Sequence, residues 1–284
     1  MNTVEKSRCL RELIRAEETL VMPDAFDPLS ARIIESLGFP AVQCSGFSMG
    51  LAAMRATEAD LGRDANLELT RAIVGAVAVP VMADGEDGFG GPKEVEETVR
   101  VFVEAGVAGI NIEDQVLGQP GPKRIIPREA MIEKLVAARG AARRAGNGDL
   151  VVNGRTDALA VAADRQAGLK EAAERANAYL SAGADLAFVT AVATTDEARV
   201  LVREIKGPLS IAVGMPYNLR TMPIKALREM GVARVSLPAV AIFAVVRAIT
   251  DTLRSVRDTQ DFGEILEKER LCRMEDIAAL LKRS

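Results

Sequence analysis

The sequence contains no histidine. That absence excludes a Ser-His-Asp triad, an imidazole zinc site and a histidine general base, so acid-base chemistry must run on carboxylates, Lys, Tyr, Ser, Cys or metal-bound water. Cysteine is scarce as well. Cys9, Cys44 and Cys272 are widely spaced and odd in number, which fits reduced thiols in a cytoplasmic protein better than a disulfide framework. Basic residues are not in excess: a formal charge of -4 and a pI near 5.3 leave no basic face for nucleic acid and no polybasic membrane anchor. Small metal-bound anions remain allowed, because one local Lys or Arg can serve them. No apolar run is long and clean enough to cross a bilayer, and the charged start Met1-Asn-Thr-Val-Glu-Lys-Ser-Arg8 is not expected to act as a secretory signal. No Gly-x-Gly-x-x-Gly follows the first expected strand, which counts against a dinucleotide-binding open sheet.

What is present is a regular alternation. With 49% apolar residues and a mean hydropathy of +0.11, 284 residues suffice for one large α/β domain. Short apolar runs predict strands at residues 19–22, 41–44, 80–84, 108–112, 150–157, 185–190, 209–213 and 233–237. Amphipathic or capped segments predict helices at 3–17, 28–37, 66–78, 92–105, 128–144, 168–182, 195–205, 223–230 and 239–256. Asp27 before Pro28 reads as an N-cap with proline at the first helical position. Strand and helix thus alternate eight times at intervals of about 25 to 30 residues, the rhythm of an α/β (β/α)8 TIM barrel spanning 1–284 as a single domain, with extra N-terminal and C-terminal helices.

Two strands in succession end in acids. Pro80-Val-Met-Ala-Asp84 runs into Gly-Glu86-Asp87-Gly88-Phe89-Gly90-Gly91, and Gly109-Ile-Asn-Ile-Glu113 runs into Asp114-Gln115. Buried parallel strands deliver such acids to one rim, and hard oxygen ligands there suit Mg2+, which takes one or two carboxylates, keeps waters and leaves room for substrate oxygens. Mn2+ fits the same ligands. Strand five ends in Arg155-Thr156-Asp157, and a small-residue turn, Ser45-Gly46-Phe47, follows strand two. Residues 116–127 hold three prolines, two glycines and the pair Lys123 and Arg124, which predicts a mobile lid over the site.

With these residues in view, the chain resembles the isocitrate lyase and phosphoenolpyruvate mutase superfamily. The resemblance is carried by Phe26-Asp-Pro-Leu-Ser-Ala-Arg32, Gly38-Phe-Pro-Ala41, Ser45-Gly46, Asp84-x-Glu86-x-Gly88-Phe89-Gly90, Ala105 through Gln115, and Arg155-Thr156-Asp157-Ala158. It implies a Mg2+-dependent enzyme acting on small 2-oxo or 2-hydroxy acids through an enolate. By that analogy Asp84 ligates the metal, Glu86, Glu113 and Asp60 hold its waters, Ser45, Gly46 and Phe47 receive the substrate carboxylate, and Arg155 neutralises oxygens beside the metal. It also implies C-terminal helices, here 239–284, exchanged between subunits of a homotetramer built as a dimer of dimers.

One position departs from the pattern. The lyases carry Lys-Lys/Arg-Cys-Gly-His on the lid, with Cys as catalytic acid or base, where this chain has Lys123-Arg124-Ile125-Ile126-Pro127. Ile125 cannot move a proton, and strand six offers Thr190 in place of an acid. The expectation is therefore carbon-carbon cleavage, aldol-type or decarboxylating, with Lys123 or Tyr217 as proton carrier. The alternatives are a phosphonomutase or phosphonopyruvate hydrolase, and a barrel that binds a dicarboxylate without catalysis.

Overall fold

Eight parallel strands close into a barrel in sequential order: β1 (Leu20–Ala25), β2 (Val42–Cys44), β3 (Val81–Asp84), β4 (Gly109–Glu113), β5 (Val151–Thr156), β6 (Leu186–Val189), β7 (Leu209–Ala212) and β8 (Arg234–Leu237). The computed structural model describes residues 1–282. Closure is made by β1 against β8, with Leu20 opposite Arg234 and Pro23 opposite Leu237. Almost every strand residue is buried, because helices cover the outside and side chains fill the lumen.

The helices are α1 (Thr3–Arg15), α2 (Pro28–Ser36), α3 (Gly46–Ala52), α4 (Arg63–Ala76), α5 (Pro92–Glu104), α6 (Arg128–Arg144), α7 (Ala158–Val161), α8 (Arg165–Ser181), α9 (Thr195–Glu204), α10 (Ile224–Glu229), α11 (Val240–Thr259), α12 (Gly263–Glu267) and α13 (Met274–Leu281). Local chemistry sets their starts. Asn2 and Glu5 cap α1 reciprocally, at 3.0 and 2.8 Å. Asp27 caps α2 by accepting from the Ser30 N–H at 2.7 Å, with Pro28 in the first turn as the sequence predicts. Leu10 and Ile14 of α1 then pack with Leu20, Met22, Met82, Val151 and Leu186 of the strands.

Two short helices depart from the expected pattern. Residues 46–52, read as a small-residue turn, form α3, because Ser45 caps it by accepting from the Ser48 N–H at 3.2 Å. Residues 158–161 form α7, too short for any periodicity to reveal.

The lumen is polar. Arg234 is fully buried, and its Nη1 reaches Met82 Sδ at 3.0 Å from β8 to β3, strands that are not neighbours, so the guanidinium crosses the interior. The side-chain amides of Asn111 and Asn153 meet at 2.7 Å, and Asp24 accepts from the Ser236 hydroxyl at 3.0 Å.

The C-terminal helices lie on their own barrel only in part. Arg32 of α2 donates to the Leu280 carbonyl of α13 at 3.0 Å. Over the 20 residues of α11, only Ile242 and Ser255 are buried, while Phe243, Val246, Ile249 and Leu253 stay exposed. Among the described residues no helix is long and apolar enough to cross a membrane.

Candidate active site

The acids converge at the carboxyl ends of the strands. Asp84 closes β3, and its Oδ2 accepts the Gly46 N–H at 3.0 Å. Two residues on, Glu86 turns back with φ +49°, a conformation uncommon outside glycine, and places its carboxyl beside Asp84 at 1% exposure. Oxygens of Glu58, Asp84 and Glu86 lie within 4.8 Å of one another. A Cβ at position 46 would stand 1.7 Å from Glu86 Oε1, so any side chain there would displace the Glu86 carboxylate from the cluster. The acid loop is held from outside by Lys134 of α6, whose ammonium donates to the Asp87 carbonyl at 2.6 Å.

Neither oxygen of Glu86 finds a hydrogen-bond partner in the protein. Burial, with Asp84, Glu58 and Glu113 adding repulsion, pushes its carboxyl well above the usual range. Burial likewise raises Glu113 and Glu58 against the opposing pull of Arg155. A buried charge without a counter-charge is costly, so the cluster is built for a cation that the side chains themselves do not provide. Oxygen donors alone, with no thiolate or imidazole, match a hard divalent ion.

Arg155 stands on β5 between two acids, 2.6 Å from Glu113 and 3.0 Å from Asp157. Lys123 adds a second cation at 2.7 Å from Asp157. Although burial acts to raise Asp157, Arg155 and Lys123 outweigh it and hold that acid at about 2. Beneath them Asp114 forms a hub, accepting from the Asp157 N–H at 2.9 Å and from the Thr156 and Tyr179 hydroxyls, each at 2.7 Å. Arg175 of α8 ties this hub to the lid, with Nη1 3.2 Å from Asp114 and 2.9 Å from the Ile126 carbonyl.

The lid leaves the barrel between two anchor points. The Ile126 N–H donates to the Asp114 carbonyl at 2.8 Å and the Val116 N–H to the Arg124 carbonyl at 2.9 Å. Ile125 packs against the hydrophobic core, so the position where the resembled lyases carry Cys is turned to apolar packing. Lys123 points inward to Asp157, and Thr190 donates to the same carboxylate at 3.0 Å. Tyr217 sits at the cavity wall, 46% exposed. Burial raises its phenol above the usual value, so at neutral pH it holds its proton and makes a poor base.

Asp60 lies outside the acid cluster in this structure. Its carboxylate folds back on the N–H and hydroxyl of Thr57, at 2.9 Å each, while Glu58 reaches Asp84 and Glu86 instead. The intervening 3-10 turn (Glu58–Asp60) orients the two acids differently. Ser45, Gly46 and Phe47 do lie at the site, although the Gly46 N–H is already taken by Asp84. Glu58→Gln is expected to weaken Mg2+ binding by about 10- to 100-fold in calorimetric titration, the scale for groups around a metal. Asp60→Asn, which keeps an acceptor for Thr57, should stay within roughly threefold of wild type; the reverse ranking would restore Asp60.

These groups surround a cavity of about 280 Å³ whose wall includes Asp24, Ser45, Asp84, Asn111, Arg155 and Ser236. The buried Arg155, the lid cation Lys123, a ring of acids and buried donors form a site that can grip a small carboxylate beside a metal and stabilise oxyanion charge.

Comparison with known proteins gives a consistent picture. Residues 10–257 match the family model described as phosphoenolpyruvate phosphomutase. The chain is 35% identical over 267 residues to 2-methylisocitrate lyase of Aeropyrum pernix, covering 91% of this chain and 82% of that protein. It is 32% identical over 276 residues to 2,3-dimethylmalate lyase of Eubacterium barkeri, covering 94% and 90%. Among solved structures, phosphonopyruvate hydrolase in complex with oxalate and Mg2+ superposes with a TM-score of 0.86 at 27% identity, covering 99% of this chain and 95% of that one.

Proposed function

The chain belongs to the phosphoenolpyruvate phosphomutase family, and from that premise we propose that it is a Mg2+-dependent lyase cleaving a carbon-carbon bond of a small 2-hydroxy or 2-oxo di- or tricarboxylate through an enolate. The observation that carries this reading is the acid cluster of Glu58, Asp84 and Glu86, with Glu113 beside it, gathered with Arg155 around one cavity. The cluster fits the family's metal: its donors are oxygens only, and the buried oxygens of Glu86 are unpartnered. Asp84 would hold the ion directly, with Glu58, Glu86 and Glu113 around it; Mn2+ fits the same donors. When bound, a divalent cation supplies Lewis acidity that stabilises negative charge on the substrate oxygens.

The remaining chemistry belongs to the chain. Arg155, held from both sides by Glu113 and Asp157, presents fixed positive charge where oxyanion charge develops, and so needs no rearrangement during the reaction. Ser45, Gly46 and Phe47 form the wall that takes the substrate carboxylate. Lys123, on the lid, brings an ammonium to Asp157 when the lid lies over the cavity and so couples closure to the charge of the site.

The test is turnover of oxaloacetate, 2-methylisocitrate, 2,3-dimethylmalate and phosphonopyruvate with Mg2+. Cleavage of any of the first three supports the reading. Turnover of phosphonopyruvate alone assigns phosphorus-carbon chemistry, and tight oxalate binding without any product assigns a binding barrel.

We further propose a cytoplasmic homotetramer in which the last helices exchange between subunits. Three free cysteines suit a reducing compartment, and the exposed row Phe243, Val246, Ile249 and Leu253 on α11 supplies apolar area that a partner would cover. Light scattering should return four times the 30.3 kDa chain mass. Leu253→Arg should lower that mass, whereas a monomeric wild type would end the proposal.

A further inference from the structure

We propose that Asp24 passes the proton to the carbon freed by cleavage, the role that the lid of this chain has lost. The inference rests on the lyase reading above. Ile125, half-buried against the core, has no proton to give, so the donor must line the cavity itself. Of the titratable groups there, Glu58 and Asp84 belong to the acid cluster and Arg155 is permanently charged. Lys123 and Asp157 are paired to one another at 2.7 Å, and Tyr217 stands at the open rim, 46% exposed. Asp24 remains.

Its setting suits the task. At 3% exposure on β1, its Oδ1 accepts from the Ser236 hydroxyl at 3.0 Å and the Leu237 N–H at 3.1 Å, while Oδ2 has only the longer 3.3 Å share of the same hydroxyl. The charged and titratable groups facing it are Arg234 from β8, Asp84 from β3 and Cys44 from β2. Arg234 spends Nη1 on Met82, and its Nε and Nη2 have no partner, so no ion pair freezes Asp24 as one freezes Asp157. Burial pushes Asp24 up to about 7 in spite of Arg234 and Ser236, which places its proton exchange near neutral pH.

The step balances. When the carbon-carbon bond of a 2-hydroxy acid breaks, the substrate O–H bond breaks with it and that proton passes to water. The C–O bond becomes a carbonyl, and the carbon-carbon electron pair remains on the other fragment as an enolate. From a 2-oxo acid that loses its carboxylate, CO2 leaves and the pair remains in the same way. The O–H bond of the Asp24 carboxyl breaks, its proton forms the new C–H bond with that pair, and the carboxylate regains a proton from water.

The test uses the full-length protein with Mg2+ and whichever of oxaloacetate, 2-methylisocitrate or 2,3-dimethylmalate the wild type cleaves fastest. Asp24→Asn should lower kcat by about 100-fold or more while binding Mg2+ and oxalate like wild type in calorimetry. Because the donor must be protonated, kcat should fall on the alkaline side. The Ser236 hydroxyl donates to the charged carboxylate and so lowers its pKa; Ser236→Ala removes that donor and should move the alkaline limb to higher pH. That shift is readable even if Asp24→Asn does not fold. An Asp24→Asn enzyme within threefold of wild-type kcat, or an alkaline limb unmoved in Ser236→Ala, overturns the inference. A wild type that cleaves none of the three acids overturns the lyase reading itself, and the role of Asp24 with it.

Discussion

Asp84→Ala is expected to abolish Mg2+-dependent turnover, by roughly 10³-fold or more, which corresponds to about 4 kcal/mol of lost charge stabilisation. The loss should not be one of folding. Asp84→Ala gives up two buried hydrogen bonds, from the Gly46 N–H at 3.0 Å and the longer one from the Glu86 N–H at 3.4 Å, at a cost of about 1 to 3 kcal/mol, but the substitution also relieves repulsion on Glu86 and Glu58. The metal-free melting temperature should therefore move by only a few degrees. What disappears is the response to Mg2+: a ligand at 100 times its dissociation constant stabilises the native state by about 2.7 kcal/mol, a rise of roughly 5 to 10 °C for a domain of this size. A variant that keeps both its turnover and its Mg2+-induced rise would show that the acids serve only to shape the loop.

Arg155→Gln should damage stability and catalysis together. Glu113 and Asp157 are fully buried and share this one guanidinium, so its loss leaves two carboxylates without their main partner. Breaking a buried pair in this way costs about 3 to 5 kcal/mol. Mg2+ should return part of that loss by taking up the charge of Glu113, so the deficit in melting temperature is expected to be larger without the ion than with it. In the presence of Mg2+, kcat should still fall by roughly 10²- to 10³-fold, the scale for removing one preorganised donor. An unchanged kcat with reduced stability would make Arg155 a structural pin.

The barrel was legible because its signal is repetitive: eight short apolar runs, each followed by a capped amphipathic segment, leave few other ways to bury so many faces. Motif positions such as Asp84, Glu86, Glu113 and Arg155 lie at strand ends, where chain order alone assigns them to one rim. Glu58 was harder to recognise. It shares a loop with Asp60, and which acid turns inward depends on a three-residue 3-10 turn and a side-chain bond to Thr57 that leave no mark on composition. Helix α3 was missed because seven residues rich in glycine and serine read as a turn until Ser45 is seen to cap them.

The polar lumen was invisible for a different reason. In a closed barrel both strand faces are buried, so alternation cannot say whether Arg234 or Asp24 points inward or outward, and an inward arginine looks like any other charge in the sequence. Only the contact between β8 and β3 across the lumen reveals it. The cavity also holds an asymmetry between its acids: Asp157 is paired with Arg155 and Lys123, while Asp24 accepts hydrogen bonds from Ser236 and Leu237 and has no ion pair.

The claim on which the account depends is that these carboxylates hold a divalent ion. Soaking crystals with Mn2+ and oxalate and measuring anomalous scattering tests it directly. The account predicts one strong peak in contact with Asp84, ringed by Glu58, Glu86 and Glu113, with oxalate between it and Arg155. A cavity without a peak, or Mn2+ bound only elsewhere on the barrel, would contradict it.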